Sequence, residues 1–145
     1  LIEAIDALTG EMQASGVLCI TEVLGDVRPL APRCELTLFR AAQEALPNTR
    51  KHARASRVDL TLNYSDPSTV SLTVADNGIG APEVEVNDRF GLLGLRERVH
   101  QLGGSMLIET APEAGFQIQL SLPSDGIRLA AVEDTVGGPV VGESA

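Results

Sequence analysis

Val70, Leu72 and Val74 alternate with Ser71, Thr73 and Ala75, and this run ends on Asp76-Asn77-Gly78-Ile79-Gly80. Alternation with a period of two is the pattern of a strand with one face in a core and the other toward water. Such a strand must lie in a sheet that is covered on one side. Immediately upstream, Val58, Leu60, Leu62 and Tyr64 alternate with Asp59, Thr61 and Asn63, and Asp66-Pro67-Ser68 supplies the turn between the two runs. Together they read as a hairpin. Met106, Ile108 and Thr110, followed by Phe116, Ile118, Leu120 and Leu122, make a second hairpin around Pro112 to Gly115.

The remaining segments supply the cover. Ile2, Ile5, Leu8 and Met12 share one helical face, with Glu3, Asp6 and Glu11 opposite, and Gly16 stops that helix. Val17 to Leu24 is a short apolar run that reads as a strand buried on both faces. Gly25 to Pro32 is a loop. Cys34 to Ala53 is the longest helical pattern, with Leu38, Ala42, Ala45 and Leu46 as its apolar stripe. After the polar, non-periodic stretch from Ala81 to Phe90, Gly91 to Leu102 returns to helix and Gly103-Gly104 ends it. This order predicts an α+β fold, a two-layer α/β sandwich in which three helices cover one face of a mixed sheet of about five strands. Residues 1–123 read as one domain. Residues 124–145 read as a C-terminal extension, with a short strand from Ile127 to Val132 and a flexible tail from Gly137.

Composition narrows the function. Aromatics are scarce, so the core must be built from Leu, Ile, Val and Ala. A formal net charge of −9 is a poor match for a nucleic-acid backbone. An acidic chain that binds an anion needs local donors and a bridging cation. No apolar run reaches membrane-spanning length and no signal peptide is visible, which predicts a cytoplasmic setting. The chain begins mid-pattern without a Met and reads as a piece of something longer. Cys19 and Cys34 lack metal-ligand spacing and read as buried thiols in a reducing compartment.

Three patterns carry chemistry. Asp76 ends a strand before a turn, where its carboxylate can accept hydrogen bonds from an exocyclic amine and a bound water. Gly78 and Gly80 let the backbone approach a flat ligand, although an ordinary Asp-Asn-Gly turn has the same sequence. Glu44, Asn48 and Lys51 fall at i, i+4 and i+7, on one stripe of the long helix. Asn48 offers a neutral oxygen suited to Mg²⁺, Glu44 can orient or deprotonate a water, and Lys51 can meet a phosphate; a solvated Glu-Lys face explains the stripe equally. Gly91-Leu92-Leu93-Gly94-Leu95 opens a helix, whose free N–H groups and positive dipole end favour an anion. It is neither a Walker A loop nor a Rossmann fingerprint. Arg96 and Arg98 either assist the phosphates or decorate an exposed face. His52 neighbours the stripe, and His100 reads as surface.

Taken together, Gln43-Glu44-Ala45-Leu46-Pro47-Asn48-Thr49-Arg50-Lys51-His52-Ala53, Asp76-Asn77-Gly78-Ile79-Gly80 and Gly91-Leu92-Leu93-Gly94-Leu95-Arg96-Glu97-Arg98 resemble the N, G1 and G2 boxes of the GHKL superfamily. The likeness is greatest to the catalytic domain of NarL/DesK-type sensor histidine kinases and implies a Bergerat-type fold. It implies that the chain binds ATP with Mg²⁺ and, in the full protein, transfers the γ-phosphoryl group to a histidine on a separate dimerisation domain, from which a response regulator takes it. By the resemblance, Asn48 holds Mg²⁺ and Asp76 reads the adenine amino group. Gly78, Ile79 and Gly80 shape the adenine pocket. Lys51, His52 and the backbone from Gly91 through Leu92, Leu93 and Gly94 to Leu95 hold the phosphates. Glu44 matches the general base of the ATPase relatives, and Ala81 to Phe90 forms a short lid. The isolated domain is expected to be a monomer and the full protein a homodimer, membrane-anchored or not. Pro47 departs from the pattern: it removes one helical hydrogen bond, at about 3 kcal/mol in a regular helix, and predicts a bend or an irregularity there. Asp88-Arg89-Phe90 and Glu113-Ala114-Gly115 also replace more glycine-rich stretches. The phosphoacceptor helix of such kinases has no counterpart in this sequence. Two other readings stand beside this one: a GHKL serine/threonine kinase of the anti-sigma type, and a degenerate nucleotide-binding module without phosphotransfer.

Overall fold

The structure, a computed structural model, describes residues 1–51, 55–79, 92–110 and 115–124; of residues 48–51 it describes the backbone alone. In chain order the elements are α1 (Ile2–Ala14), β1 (Leu18–Leu24), α2 (Pro32–Lys51), β2 (Arg57–Asn63), β3 (Thr69–Asp76), α3 (Leu92–Gln101), β4 (Ser105–Thr110) and β5 (Phe116–Pro123). The expected lid from 81 to 90 and the strand from 127 to 132 lie outside the described residues.

The strands form one sheet in the order β1-β2-β3-β5-β4. β1 runs parallel to β2, across the α2 crossover, and every other pairing is antiparallel. The mixed sheet and its one-sided cover are those read from the sequence. Alternation does the sorting. Val58, Leu60 and Leu62 on β2, Val70, Leu72 and Val74 on β3, and Ile118, Leu120 and Leu122 on β5 are all buried. They meet Leu38, Ala41, Ala42, Ala45 and Leu46 of α2, Leu92, Leu95 and Val99 of α3, and Ile5 and Met12 of α1 in a single core. α2 lies across β3 and β5, with α1 beside it against β1 and α3 beside it against β4. The small residues of α2 let that helix sit close to the sheet. Cys19 and Cys34 are buried in this core outside any disulfide, as expected, and burial pushes the Cys19 thiol pKa up.

β1 differs from the expectation of a strand buried on both faces. Among the described strands it lies at the edge, and Leu18, Ile20 and Leu24 are 49%, 40% and 37% exposed on the uncovered side. A short apolar run looks the same in a central strand and in an edge strand, because periodicity reports the covered face and not the number of neighbours. α2 begins two residues before the apolar pattern does, at Pro32, whose fixed φ and missing N–H suit a first turn. Pro47 does not end α2, which continues to Lys51. The carbonyl that loses its helical donor belongs to Gln43, an exposed position where water can replace it, while Ala45 and Leu46 beside the proline are buried. At its far end α3 stops on Gly103, which adopts a left-handed φ of 79°.

One end of the sheet is closed by Arg28, in the loop before α2. Its Nη1 donates to the carbonyl of Tyr64 at 2.9 Å, and its Nη2 donates to the carbonyls of Asp66 at 2.8 Å and Thr69 at 2.9 Å and to the Ser124 hydroxyl at 2.5 Å. The guanidinium also lies 5.8 Å from the Tyr64 ring centroid. Ser124 N–H donates to the carbonyl of Ser68, and Ala31 N–H to that of Ser124. The β1–α2 loop, the β2–β3 turn and the end of β5 are thereby joined, and Ser124 belongs to the packed structure. Hydrogen bonds from Ser68 hold the Asp66 carboxyl below its usual pKa, so the support it lends the turn is present at neutral pH and fades as pH falls through the carboxylate range. Among the described residues no helix is long and apolar enough to cross a membrane.

Arg28→Ala should lower unfolding stability by about 2 kcal/mol, since several part-buried carbonyls lose a charged donor together. Arg28→Lys should recover only part of it, because an ammonium cannot reproduce the planar fork. Urea denaturation measures both; an Arg28→Ala midpoint equal to that of the unaltered chain would contradict this role.

Candidate functional site

The sequence pattern around Asp76 lies at the opposite end of the sheet. Asp76 is the last residue of β3 and shares the parity of Val70, Leu72 and Val74, so it extends the inward row on the helix side. Its cross-strand neighbours are Val58 on β2 and Phe116 on β5. Asp76 is half-buried, and its Oδ1 accepts the N–H of Gly78 at 2.8 Å. The turn is therefore an Asx turn, as a bland Asp-Asn-Gly sequence would make. The same turn also fixes a carboxylate at the end of the buried apolar row of Val70, Leu72 and Val74.

Two neighbours hold this carboxylate's backbone in place. Asn77 Oδ1 accepts the N–H groups of Ser56 and Arg57, both at 3.0 Å. Its Nδ2 donates to the Ser56 hydroxyl at 2.9 Å, and its own N–H donates to the carbonyl of Arg57. The end of β3 is thus stitched to the start of β2. From the other side Gly115 packs under Asp76. It has a left-handed φ of 79°, and a Cβ there would stand 2.6 Å from the Asp76 carbonyl oxygen. Thr110 Oγ1 donates to the Gly115 carbonyl at 3.0 Å and anchors that turn.

A second feature lies between α2 and α3. Arg40, Glu44, Gly94, Leu95 and Arg98 line a cleft of ≈ 210 Å³. It brings together Glu44 from one sequence pattern and Gly94 and Leu95 from another. Leu92 is fully buried and Leu95 is 6% exposed, so both anchor α3 in the core. Leu93 and Ile79, at 52% and 45% exposed, face solvent. A Cβ built on Gly94 meets nothing within 4 Å. Among the described residues, packing therefore does not require glycine there. Arg96 is half-buried and reaches the Met106 carbonyl at 3.4 Å, a tie to β4, and His100 is exposed.

α2 carries residues 48 and 51 beyond Glu44, but the side chains of Asn48 and Lys51 lie outside the described residues, as do His52, Gly80 and Gly91. Among the described residues no three His, Cys, Asp or Glu side chains gather as a metal cage. Sequence reasoning missed Asn77 as a clamp, Gly115 as a support, and Arg40 altogether. Asn77 had a signal, since an Asn after a strand-ending Asp is a natural acceptor for turn N–H groups. Arg40 had none, because its place beside Arg98 depends on how two helices pack.

The two glycines predict opposite outcomes. Gly94→Ala should raise stability by up to about 1 kcal/mol, through helix propensity alone. Gly115→Ala should lower it by about 1–3 kcal/mol, from left-handed strain and the clash with Asp76. Thermal or urea unfolding of the two variants checks the pair; equal effects of the same sign would contradict the geometry.

Residues 34–126 match the family model described as histidine kinase-, DNA gyrase B- and HSP90-like ATPase. The signal transduction histidine-protein kinase/phosphatase DegS of Brevibacillus brevis is 36% identical over 110 residues, which are 75% of this chain and 28% of that protein. UhpB of Salmonella typhimurium, described in the same words, is 36% identical over 125 residues, 85% of this chain and 24% of that protein. The chain thus spans about a quarter of the length of these relatives. Among solved structures, the mycobacterial sensor histidine kinase MprB superposes with a TM-score of 0.63 at 25% identity, covering 86% of this chain and 94% of that one. The chain belongs to the histidine kinase-, DNA gyrase B- and HSP90-like ATPase family, and its likeness within that family is to the catalytic domains of sensor histidine kinases.

Proposed function

We propose that this chain is the part of a two-component sensor kinase that binds Mg-ATP and delivers its γ-phosphoryl group to a histidine on a separate dimerisation and acceptor domain, for onward transfer to a response regulator. The observation that carries the reading is Asp76: a half-buried carboxylate at the end of the inward row, clamped by Asn77 and seated on Gly115. It accepts the adenine amino group, and Gly78, Ile79 and Gly80 form the turn beside the ring. The start of α3, from Gly91 through Gly94, donates backbone N–H groups to the phosphates, with the helix dipole in support. The open space above Gly94 fits this use, because a phosphate oxygen can come close where no side chain stands. Lys51 and His52 add donors to the phosphates.

Asn48 is the residue that would hold Mg²⁺. Its neutral amide oxygen suits an ion that keeps most of its positions for water and phosphate, and the ion would supply charge neutralisation on the phosphates. The contribution of this chain is positioning and electrostatics, as in other phosphoryl transfers. The bond from the β–γ bridging oxygen to the γ-phosphorus breaks and a nitrogen–phosphorus bond forms. ADP departs, and the imidazole gives up a proton. Glu44, exposed in the cleft between α2 and α3, is placed to orient the incoming group or take that proton. The site works where ATP is held, on the cytoplasmic side of any membrane the whole protein meets.

Asp76→Asn should weaken binding of a non-hydrolysable ATP analogue by about tenfold or more, because an amide presents a donor where the amine needs an acceptor. Calorimetry reads this, and unchanged affinity would remove Asp76 from the pocket. Asn48→Ala should abolish the magnesium enhancement of binding while leaving the unfolding curve in place; an unaltered metal dependence would contradict its assignment. With the longer natural polypeptide, label from γ-phosphate should appear as an acid-labile phosphohistidine. An acid-stable product would place the acceptor on serine or threonine instead.

A further inference from the structure

The cleft between α2 and α3 carries more charge than nucleotide binding uses. Arg40 and Arg98 stand on it with Glu44, and all three are exposed. Arg40 and Glu44 are one turn apart on α2, the spacing at which opposite charges pair. Among the described residues, however, neither they nor Arg98 takes part in an ion pair, the single one there being Arg57 with Asp59. In a chain of net charge −9, two guanidiniums brought to one cleft from different helices make a local reversal of sign. Guanidinium pairs of this kind suit a carboxylate or a phosphate.

Position decides between them. At about 1.5 Å per residue, Arg40 lies about 12 Å along α2 from residue 48, and about 6 Å beyond Glu44. Arg98 lies about 9 Å along α3 from its first residue. Along each helix the arginine lies on the far side of the group proposed to act on the nucleotide, Arg40 beyond Glu44 on α2 and Arg98 beyond Gly94 on α3. An acceptor polypeptide that reached the terminal phosphate along this cleft would pass both arginines. We propose that this cleft seats the polypeptide that accepts the phosphoryl group, and that Arg40 and Arg98 clasp a carboxylate carried by that polypeptide close to its acceptor. The inference rests on the phosphotransfer reading above and assigns the two arginines as positioning residues. A clasp on an exposed rim acts mainly on encounter and register and is weakened by salt.

The test has two arms, both in the longest natural polypeptide that contains this chain, saturated with magnesium and nucleotide. In the first, phenylglyoxal labels arginines in the presence of a non-hydrolysable ATP analogue, and mass spectrometry compares the long polypeptide with the 145-residue chain. Arg40 and Arg98 should be protected about threefold or more in the long form; equal labelling overturns the proposal. In the second, the Arg40→Ala, Arg98→Ala double variant should transfer phosphate about tenfold more slowly at saturating ATP, while analogue affinity stays within about twofold. Added salt should slow the unaltered protein in the same direction. Unchanged transfer, or a loss of ATP-analogue affinity that ADP does not share, overturns the clasp, the latter by making it a terminal-phosphate subsite. If the unaltered protein transfers no phosphate, the proposed function fails, and the labelling arm still decides whether a polypeptide covers the cleft.

Discussion

Everything at the functional end of this molecule depends on one row of side chains. Val70, Leu72 and Val74 bury completely against α2, and the fourth position of the same row is Asp76. Apolar burial sets the register of β3, since a one-residue slip would turn all three aliphatic groups outward. The same register therefore aims the carboxylate at the helix layer. Position 76 can be polar because the core ends there and water or a ligand can reach it. A charged group one step further in would meet a desolvation cost that no partner there offsets.

The two ends of the sheet are built in contrasting ways. At the Tyr64 end, Arg28 gathers carbonyls from separate segments and caps the core with a network of bonds. At the Asp76 end, the backbone is held by Asn77 and Gly115, and the carboxylate itself is half-buried, not sealed in the core. A stiff frame around the recognising group is what a site for a rigid, planar ligand needs, because binding then orders little. At Gly94, near the start of α3, a glycine costs helix stability although no described neighbour requires it.

Much of this was legible in the sequence, for a definable reason. Alternation in β2, β3 and β5 reports which face is covered, and hence the two layers and the inward position of Asp76. The helix stripe placed Glu44 on α2, and Gly-Leu-Leu-Gly located the start of α3. What stayed hidden depends on contacts between distant segments. The edge position of β1 left no trace, because Leu18, Ile20 and Leu24 look as apolar as core residues. Arg28 joins groups from Tyr64 to Ser124, and no local pattern points to that. Arg40 becomes interesting only once α2 and α3 lie side by side. Pro47 was legible as a cost, but not as one that an exposed Gln43 position would relieve.

The central claim is that one carboxylate, aligned by the burial of three aliphatic neighbours, reads a purine. A crystal structure of the chain with magnesium and a non-hydrolysable ATP analogue tests it most directly. The account predicts the adenine amino nitrogen within hydrogen-bonding distance of the Asp76 carboxylate, with the phosphates running toward the first turn of α3. A nucleotide bound elsewhere, with the volume beside Asp76 filled by aliphatic side chains, would contradict it.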